Sequence, residues 1–69
     1  MGRKNITTRL KRQHKTRKEL AAASGYSLQY VYSTLNGKDK LPKRTEARYD
    51  EVLTMWETAR ENAKKEAGV

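Results

Sequence analysis

Residues 16–37, TRKELAAASGYSLQYVYSTLNG, contain two helix starts separated by one tight bend. Thr16 and Glu19 have the spacing of a capping box, in which the threonine hydroxyl accepts from a backbone N–H and the glutamate accepts from the amide of the capping residue. Gly25 tolerates the positive φ that ends a helix, and Ser27 is a suitable cap for the next one. The pattern predicts a helix after the threonine, a turn at the glycine and a second helix after the serine.

The side chains of these two helices divide into an inward and an outward set. Leu20 and Ala21 form an apolar stripe on the first helix, and the small alanine lets a second helix cross closely. On the second helix, Val31 and Leu35 share one face because they are four residues apart. The pair Asn36-Gly37 favours left-handed backbone and predicts the end of that helix. The residues left facing outward are Leu28, Gln29, Tyr32 and Ser33.

The segment from Thr16 to Pro42 resembles the helix-turn-helix of the phage repressor and Cro proteins. This resemblance implies that the chain binds DNA, with its second helix in the major groove. An ordinary helical hairpin without any nucleic-acid function is the competing interpretation. The residues that carry the resemblance are Glu19, Leu20, Ala21, Gly25, Ser27, Gln29, Val31, Asn36, Gly37, Lys38, Lys40 and Pro42.

Two positions depart from the family pattern. Family members often pair an arginine on the first helix with an acid late in the second helix of the motif, whereas this chain has Leu10 and Leu35 there. The resemblance therefore implies an apolar contact in place of an ion pair. Thr34 stands where the family usually buries an aliphatic side chain, so either its hydroxyl bonds to a carbonyl of its own helix or Leu35 takes the core position.

Length and composition limit the class of protein. A chain of 69 residues without cysteine has a small core and no disulfide, and its single histidine, His14, cannot build a zinc site alone. No apolar run approaches the roughly 20 residues that span a bilayer. We expect one soluble all-α domain over residues 1–69, with three short helices and one long C-terminal amphipathic helix. No metal, cofactor or small-molecule ligand is expected.

The net charge of +8 is unevenly distributed. Residues 1–18 are strongly basic and contain no acid, and a second basic stretch, residues 38–48, follows the motif. From residue 49 onward acids outnumber bases. Because the basic stretches bracket the motif, we expect them to lie near DNA phosphates. Solubility is the ordinary explanation for any single lysine or arginine, so only the clustering is informative.

Docking geometry assigns roles to individual side chains. The Gln29 amide is suited to bond N6 and N7 of adenine, Leu28 is suited to contact a thymine methyl, and Ser33 can bond to either kind of base edge. Arg17 is expected to reach a phosphate or the outermost base, and Tyr32 either contacts DNA or packs at the edge of the core. The residues expected to position the domain on phosphates are Lys18, Asn36, Lys38, Lys40, Lys43 and Arg44.

A short first helix is predicted before the motif. Asn5 or Thr7 is its expected cap, and it should run to about residue 14. Ile6 and Leu10 are expected to face inward and Arg9 outward, together with Lys11 and Arg12. Residues 2–4 are expected to form an arm that is disordered without DNA and follows a groove when bound.

A long amphipathic helix is predicted over about residues 44–66, a segment without glycine or proline. Its first half should complete the core, and its second half should project, fray or pair with a partner helix. Trp56 is expected to be the main core aromatic, to form a dimer seam with Val52 and Ala59, or to do both.

These expectations favour a sequence-specific transcriptional regulator, a Cro-like repressor of a phage or mobile element in the cytoplasm of a bacterial host. One small domain buries too little DNA surface for strong discrimination, so a homodimer on an inverted repeat is expected, with half-sites about one helical turn apart. The alternatives are an architectural or excisionase-like recombination-directing factor and a basic protein-interaction module. An enzyme is not expected, because no catalytic constellation is present.

Overall fold

The computed structural model describes residues 2–67, with side chains described through residue 63. Within this part of the chain there are four helices and no strand, so the predicted all-α class is confirmed. Three helices are short and the fourth is long, as expected. The elements are α1 (Arg3–Arg12), α2 (Arg17–Ser24), α3 (Leu28–Asn36) and α4 (Lys43–Ala67).

The first helix starts earlier than predicted. Gly2 is the residue before α1, and Arg3 is already helical. Asn5 and Thr7 are therefore not caps, and the Thr7 hydroxyl donates to the Arg3 carbonyl at 3.0 Å inside the helix. The expectation of a disordered arm over residues 2–4 is wrong, because most of that segment is the first turn of α1.

A long-range contact accounts for this early start. The Nε of Arg3 donates to the Thr34 carbonyl at 2.7 Å, and its Nη2 donates to the Asp39 carbonyl at 3.1 Å. The Thr34 carbonyl lies in the last turn of α3, where backbone acceptors lack partners within the helix. The beginning of α1 is thus held by the end of α3, which local capping rules do not include.

The end of α1 is also earlier than predicted. The helix stops at Arg12, and His14 follows in the left-handed conformation with φ 55. The amide of Lys15 donates to the Leu10 carbonyl at 3.0 Å, and the amide of His14 donates to the Lys11 carbonyl at 3.1 Å. This is a Schellman ending, with a histidine at the position that glycine usually occupies.

The helix-turn-helix formed by α2 and α3 follows the sequence prediction closely. The Thr16 hydroxyl accepts from the Glu19 amide at 3.2 Å, and the reciprocal bond of the capping box is present. Gly25 has φ 82, and the Ser27 hydroxyl caps α3 by accepting from the Tyr30 amide at 3.1 Å. Gly37, with φ 85, ends α3.

One apolar cluster joins the four helices. The predicted core residues Ile6, Leu10, Leu20, Val31 and Leu35 are all buried in it. Leu10 and Leu35 therefore lie in the same core cluster, which agrees with the expected apolar contact. The remaining members of the cluster are Ala21, Tyr49, Val52 and Leu53.

Hydroxyl groups tie the inner face of α3 to α4. The Thr34 side chain is fully buried, and its hydroxyl donates back to carbonyls of its own helix and bonds to the Tyr49 hydroxyl at 2.9 Å. Tyr30 and Thr45 make a second hydroxyl pair, also at 2.9 Å. Burial raises the pKa of Tyr49. The first expectation for Thr34 holds, because its hydroxyl back-bonds; Thr34 itself keeps the core position, with Leu35 buried next to it.

The contact between α1 and α4 depends on charge. The Arg9 side chain donates to Asp50 at 2.6 Å, to Glu57 at 2.7 and 2.9 Å and to the Thr54 hydroxyl at 3.2 Å. The hydrogen bonds that Arg9 donates to Glu57 raise the pKa of Arg9, and the same bonds lower the pKa of Glu57. The prediction that Arg9 faces outward is wrong, since its side chain is only 12% exposed.

The long helix packs through its first half. Tyr49, Val52 and Leu53 are buried, whereas every residue from 58 to 63 is exposed. Val52 is only 3% exposed, so it has almost no surface for a second subunit and its place in the predicted dimer seam is wrong. Trp56 packs partly buried against the core, and Ala59 is exposed.

Candidate nucleic-acid interface

The outer face of α3 presents the four side chains that the sequence predicted. Leu28 and Tyr32 are 38% and 43% exposed, Gln29 is exposed and Ser33 is half-buried. The cap at Ser27 and the burial of Val31 and Leu35 set this rotation of the helix. Together with Asn36 and Lys38, the four side chains line one shallow open depression.

The Gln29 side chain has its bonding groups available. None of the hydrogen bonds found within residues 2–67 uses the side-chain amide of Gln29. On the opposite side of α3, the hydroxyls of Thr34 and Tyr30 both have hydrogen-bond partners. The two sides of the helix therefore differ in chemistry. The inner side is satisfied within the protein, and the outer side can bond to another molecule.

Arg17 stands beside this face at the first position of α2. Its guanidinium carbon lies 5.4 Å from the centroid of the Tyr32 ring, within the range of a cation–π interaction. Its Nε is buried and has no hydrogen-bond partner among the described residues. Lys18, the next residue, is exposed. The structure thus brings Arg17 next to the predicted base-reading set.

Two further depressions lie between α1 and the helix-turn-helix, and they share Thr7 and Arg17. The residues that line them, all in the described part of the chain, include no acid. Lys4 and Lys11 of α1 belong to this surface and were not among the predicted site residues. Their separation by seven residues places both on one helix face, which is the signal that could have found them.

The predicted phosphate-binding residues from the end of α3 onward are all exposed but do not form one cluster. Asn36 and Lys38 border the α3 face, as described above, whereas Lys40 lines a different depression with Arg3 and Glu46. The other two residues lie in the first turn of α4, where positive charge opposes the helix dipole. Helix stability therefore does not explain why basic residues occupy these two positions. These two are Lys43 and Arg44.

The remaining candidate surface surrounds Trp56. The Lys15 ammonium lies 5.2 Å from the centre of the Trp56 ring, and the ring packs against the core. Met55 beside it is 57% exposed, and Ala59 is exposed one turn further on. Because Val52 is buried, the accessible part of the predicted seam consists of the outer edge of Trp56 and Ala59.

Comparisons with protein-family models, with curated proteins and with solved structures found no match to this chain. Within residues 2–67, no helix is long and apolar enough to cross a membrane. The described residues also contain no group of three or more acidic or histidine side chains that is arranged to hold a metal ion.

Proposed function

We propose that this chain is a sequence-specific regulator of transcription that binds double-stranded DNA, acting as a Cro-like repressor of a phage or mobile element. Its α3 would enter the major groove, and α2 would cross the backbone. The observation that carries this proposal is the outer face of α3, where Gln29 has no internal hydrogen bond and is flanked by other exposed side chains.

Each predicted contact has a physical basis at this face. Gln29 lies at the second position of α3, and the N-terminal part of a recognition helix is the part that reaches base edges. Its amide offers a donor and an acceptor for N7 and N6 of adenine. Ser33, one turn further along the same face, supplies a hydroxyl for a neighbouring base pair.

The charge around the face supports a polyanionic partner. Arg17 and Lys38 flank the outer face of α3, Lys18 is exposed next to Arg17 in α2, and the α1 surface extends the basic area through Lys4 and Lys11. Phosphate contacts of this kind supply affinity without sequence information, whereas α3 supplies the discrimination. A repressor of this kind would act in the cytoplasm of a bacterial host, where its operator lies.

The proposal includes a homodimer on DNA. A single small module buries about 600 to 1,000 Å² on a duplex, which limits discrimination. Two copies on an inverted repeat would double the number of base contacts. The accessible edge of Trp56 and the exposed Ala59 are the proposed seam, because Trp56 is only partly covered by the core and Ala59 lies beyond the part of α4 that packs on it.

Selection of bound sites from random duplexes tests the function directly. We expect a defined half-site that recurs as an inverted repeat, and repression when it overlaps a promoter. Gln29→Ala should cost about 1 to 3 kcal/mol at one base pair only. Lys38→Ala is the matched control, and it should weaken all sequences alike and reduce the slope of affinity against salt by about one.

The same experiment separates the alternatives. Recovery of direct repeats with no effect on transcription would indicate a recombination-directing factor. Absence of any preference over random competitor at about 150 mM salt would remove the proposed function and favour a protein-interaction module. Equal losses on specific and random DNA for Gln29→Ala would contradict its base-reading role.

Sedimentation of the protein with and without its selected site tests the dimer. We expect two copies per inverted repeat, and Ala59→Lys should shift binding towards one copy by placing like charges at the seam. Ala59 is exposed, so the variant should unfold at the same denaturant concentration as the wild type. Two copies bound with undiminished cooperativity in Ala59→Lys would place the seam elsewhere.

A further inference from the structure

Exposed apolar side chains are concentrated on the face proposed to read DNA. Among the described side chains, the exposed large hydrophobic residues are Leu28, Tyr32 and Met55. The first two are four residues apart and therefore adjacent on the outer face of α3. They do not belong to the core cluster, so packing within the domain does not explain their apolar character.

Tyr32 is held in place from one side. The Arg17 guanidinium lies over its ring, and both residues line the same depression next to α1. Tyr32 also lines the α3 depression, together with Leu28. The ring therefore stands between the two depressions, and the cation–π contact with Arg17 favours this position of the ring. Leu28 and Tyr32, which we call the apolar pair, form an apolar surface within an otherwise polar face.

The neighbours of the apolar pair identify its partner chemistry. Gln29 and Ser33 lie beside it on the same face, Lys38 lines the same depression, and no acid lines it. In the major groove, the base edges present donors, acceptors and one apolar group, the 5-methyl of a pyrimidine. An apolar surface flanked by hydrogen-bonding side chains is complementary to that methyl group beside polar base edges.

We propose that the apolar pair reads pyrimidine 5-methyl groups, so that the bound half-site contains thymine at the steps facing Leu28 and Tyr32. The same surface accepts 5-methylcytosine, which presents an identical methyl group in the major groove. Methylation of cytosine at such a step therefore strengthens binding. This inference rests on the proposed DNA binding and adds the chemical class of base that α3 recognises.

Deoxyuridine in place of thymidine tests the inference, because it removes only the methyl group. In the selected site, we expect one or two thymines whose replacement weakens binding about fourfold each, as expected for loss of one buried methyl-sized group. In Leu28→Ala or Tyr32→Ala, the loss at the corresponding step should disappear. Met55→Ala is the matched control, since it truncates an exposed apolar residue on α4 and should leave every ratio unchanged.

A second arm uses cytosine. Replacing a critical T·A pair by C·G should weaken binding, and replacing it by 5-methylcytosine paired with guanine should restore about fourfold of that loss. Sequence-specific binding that is indifferent to deoxyuridine and to cytosine methylation at every position would overturn this inference and leave the proposed function standing. Loss of all sequence preference in the wild type would instead remove the proposed function itself.

Discussion

Arginines at two regions of this molecule have opposite surroundings. At the contact between α1 and α4, Arg9 donates to two carboxylates and a hydroxyl, and its side chain is 12% exposed. Beside the outer face of α3, Arg17 lies over a tyrosine ring, and its Nε has no hydrogen-bond partner among the described residues. The first region uses charge to join helices, and the second leaves charge available for a partner.

This difference changes the meaning of the net charge of +8. Asp50 and Glu57, which come from the acidic part of the sequence, are directed back onto α1 by the fold. They neutralise one arginine of the basic N-terminal segment, Glu19 pairs with Lys15 at 3.4 Å, and no acid is among the residues that line the two depressions next to Arg17. The positive charge is therefore concentrated around the helix-turn-helix more strongly than the linear sequence suggests.

The largest effect on stability is expected from Arg9→Ala. The substitution removes all the bonds of the guanidinium and leaves two carboxylates close together without their cation. Its partners are more than one third exposed, so solvent reduces the cost, and we expect a loss of about 1 to 3 kcal/mol in the free energy of unfolding. Urea denaturation monitored by the fluorescence of Trp56 measures this loss.

Arg17→Ala is the matched control on the other side of the comparison. It should change the free energy of unfolding by less than about 1 kcal/mol, because it breaks no hydrogen bond among the described residues and loses only the cation–π contact with Tyr32. It should weaken DNA binding and reduce its salt dependence, whereas the folded fraction of Arg9→Ala should keep wild-type affinity. The comparison fails if Arg17→Ala is the more destabilising change or if folded Arg9→Ala loses its affinity.

The parts of the fold that the sequence predicts well are those with local causes. The caps at Thr16 and Ser27 and the turn at Gly25 involve residues a few positions apart, so their spacing in the sequence is sufficient. The same local pattern predicts which α3 side chains face outward. The candidate base-reading set was accessible to prediction for this reason.

Apart from the end of α1, where His14 takes the left-handed conformation, the errors involve contacts between distant segments. The start of α1 depends on the bonds from Arg3 to the end of α3, and the orientation of Arg9 depends on acids of α4. The amphipathic pattern predicts Val52 in a seam because it identifies an apolar face without indicating whether the same chain or another one covers it. Its burial against the core depends on how α4 crosses the other helices.

The ion pair between Arg9 and Glu57 should also make the free energy of unfolding depend on pH, and this effect should be smaller than that of Arg9→Ala. The hydrogen bond from Arg9 lowers the pKa of Glu57, so this carboxylate stabilises the fold above its ordinary pKa. That contribution is lost as the pH falls through the lowered pKa of the folded state. The difference in free energy of unfolding between the wild type and Glu57→Gln should be under about 1 kcal/mol near pH 7 and should shrink towards pH 3.

Glu61→Gln provides the control for this measurement, because Glu61 is exposed one turn further along α4. Its effect on unfolding should be smaller at every pH. The second control repeats Glu57→Gln in the Arg9→Ala protein. Without the arginine, Glu57→Gln should no longer cause a pH-dependent difference in the free energy of unfolding. Two results would contradict this prediction: an effect of Glu57→Gln on the free energy of unfolding that is unchanged in Arg9→Ala, or one that grows as the pH falls. Either result would mean that the α1–α4 contact does not depend on this ion pair. The two regions would then no longer differ in the way described.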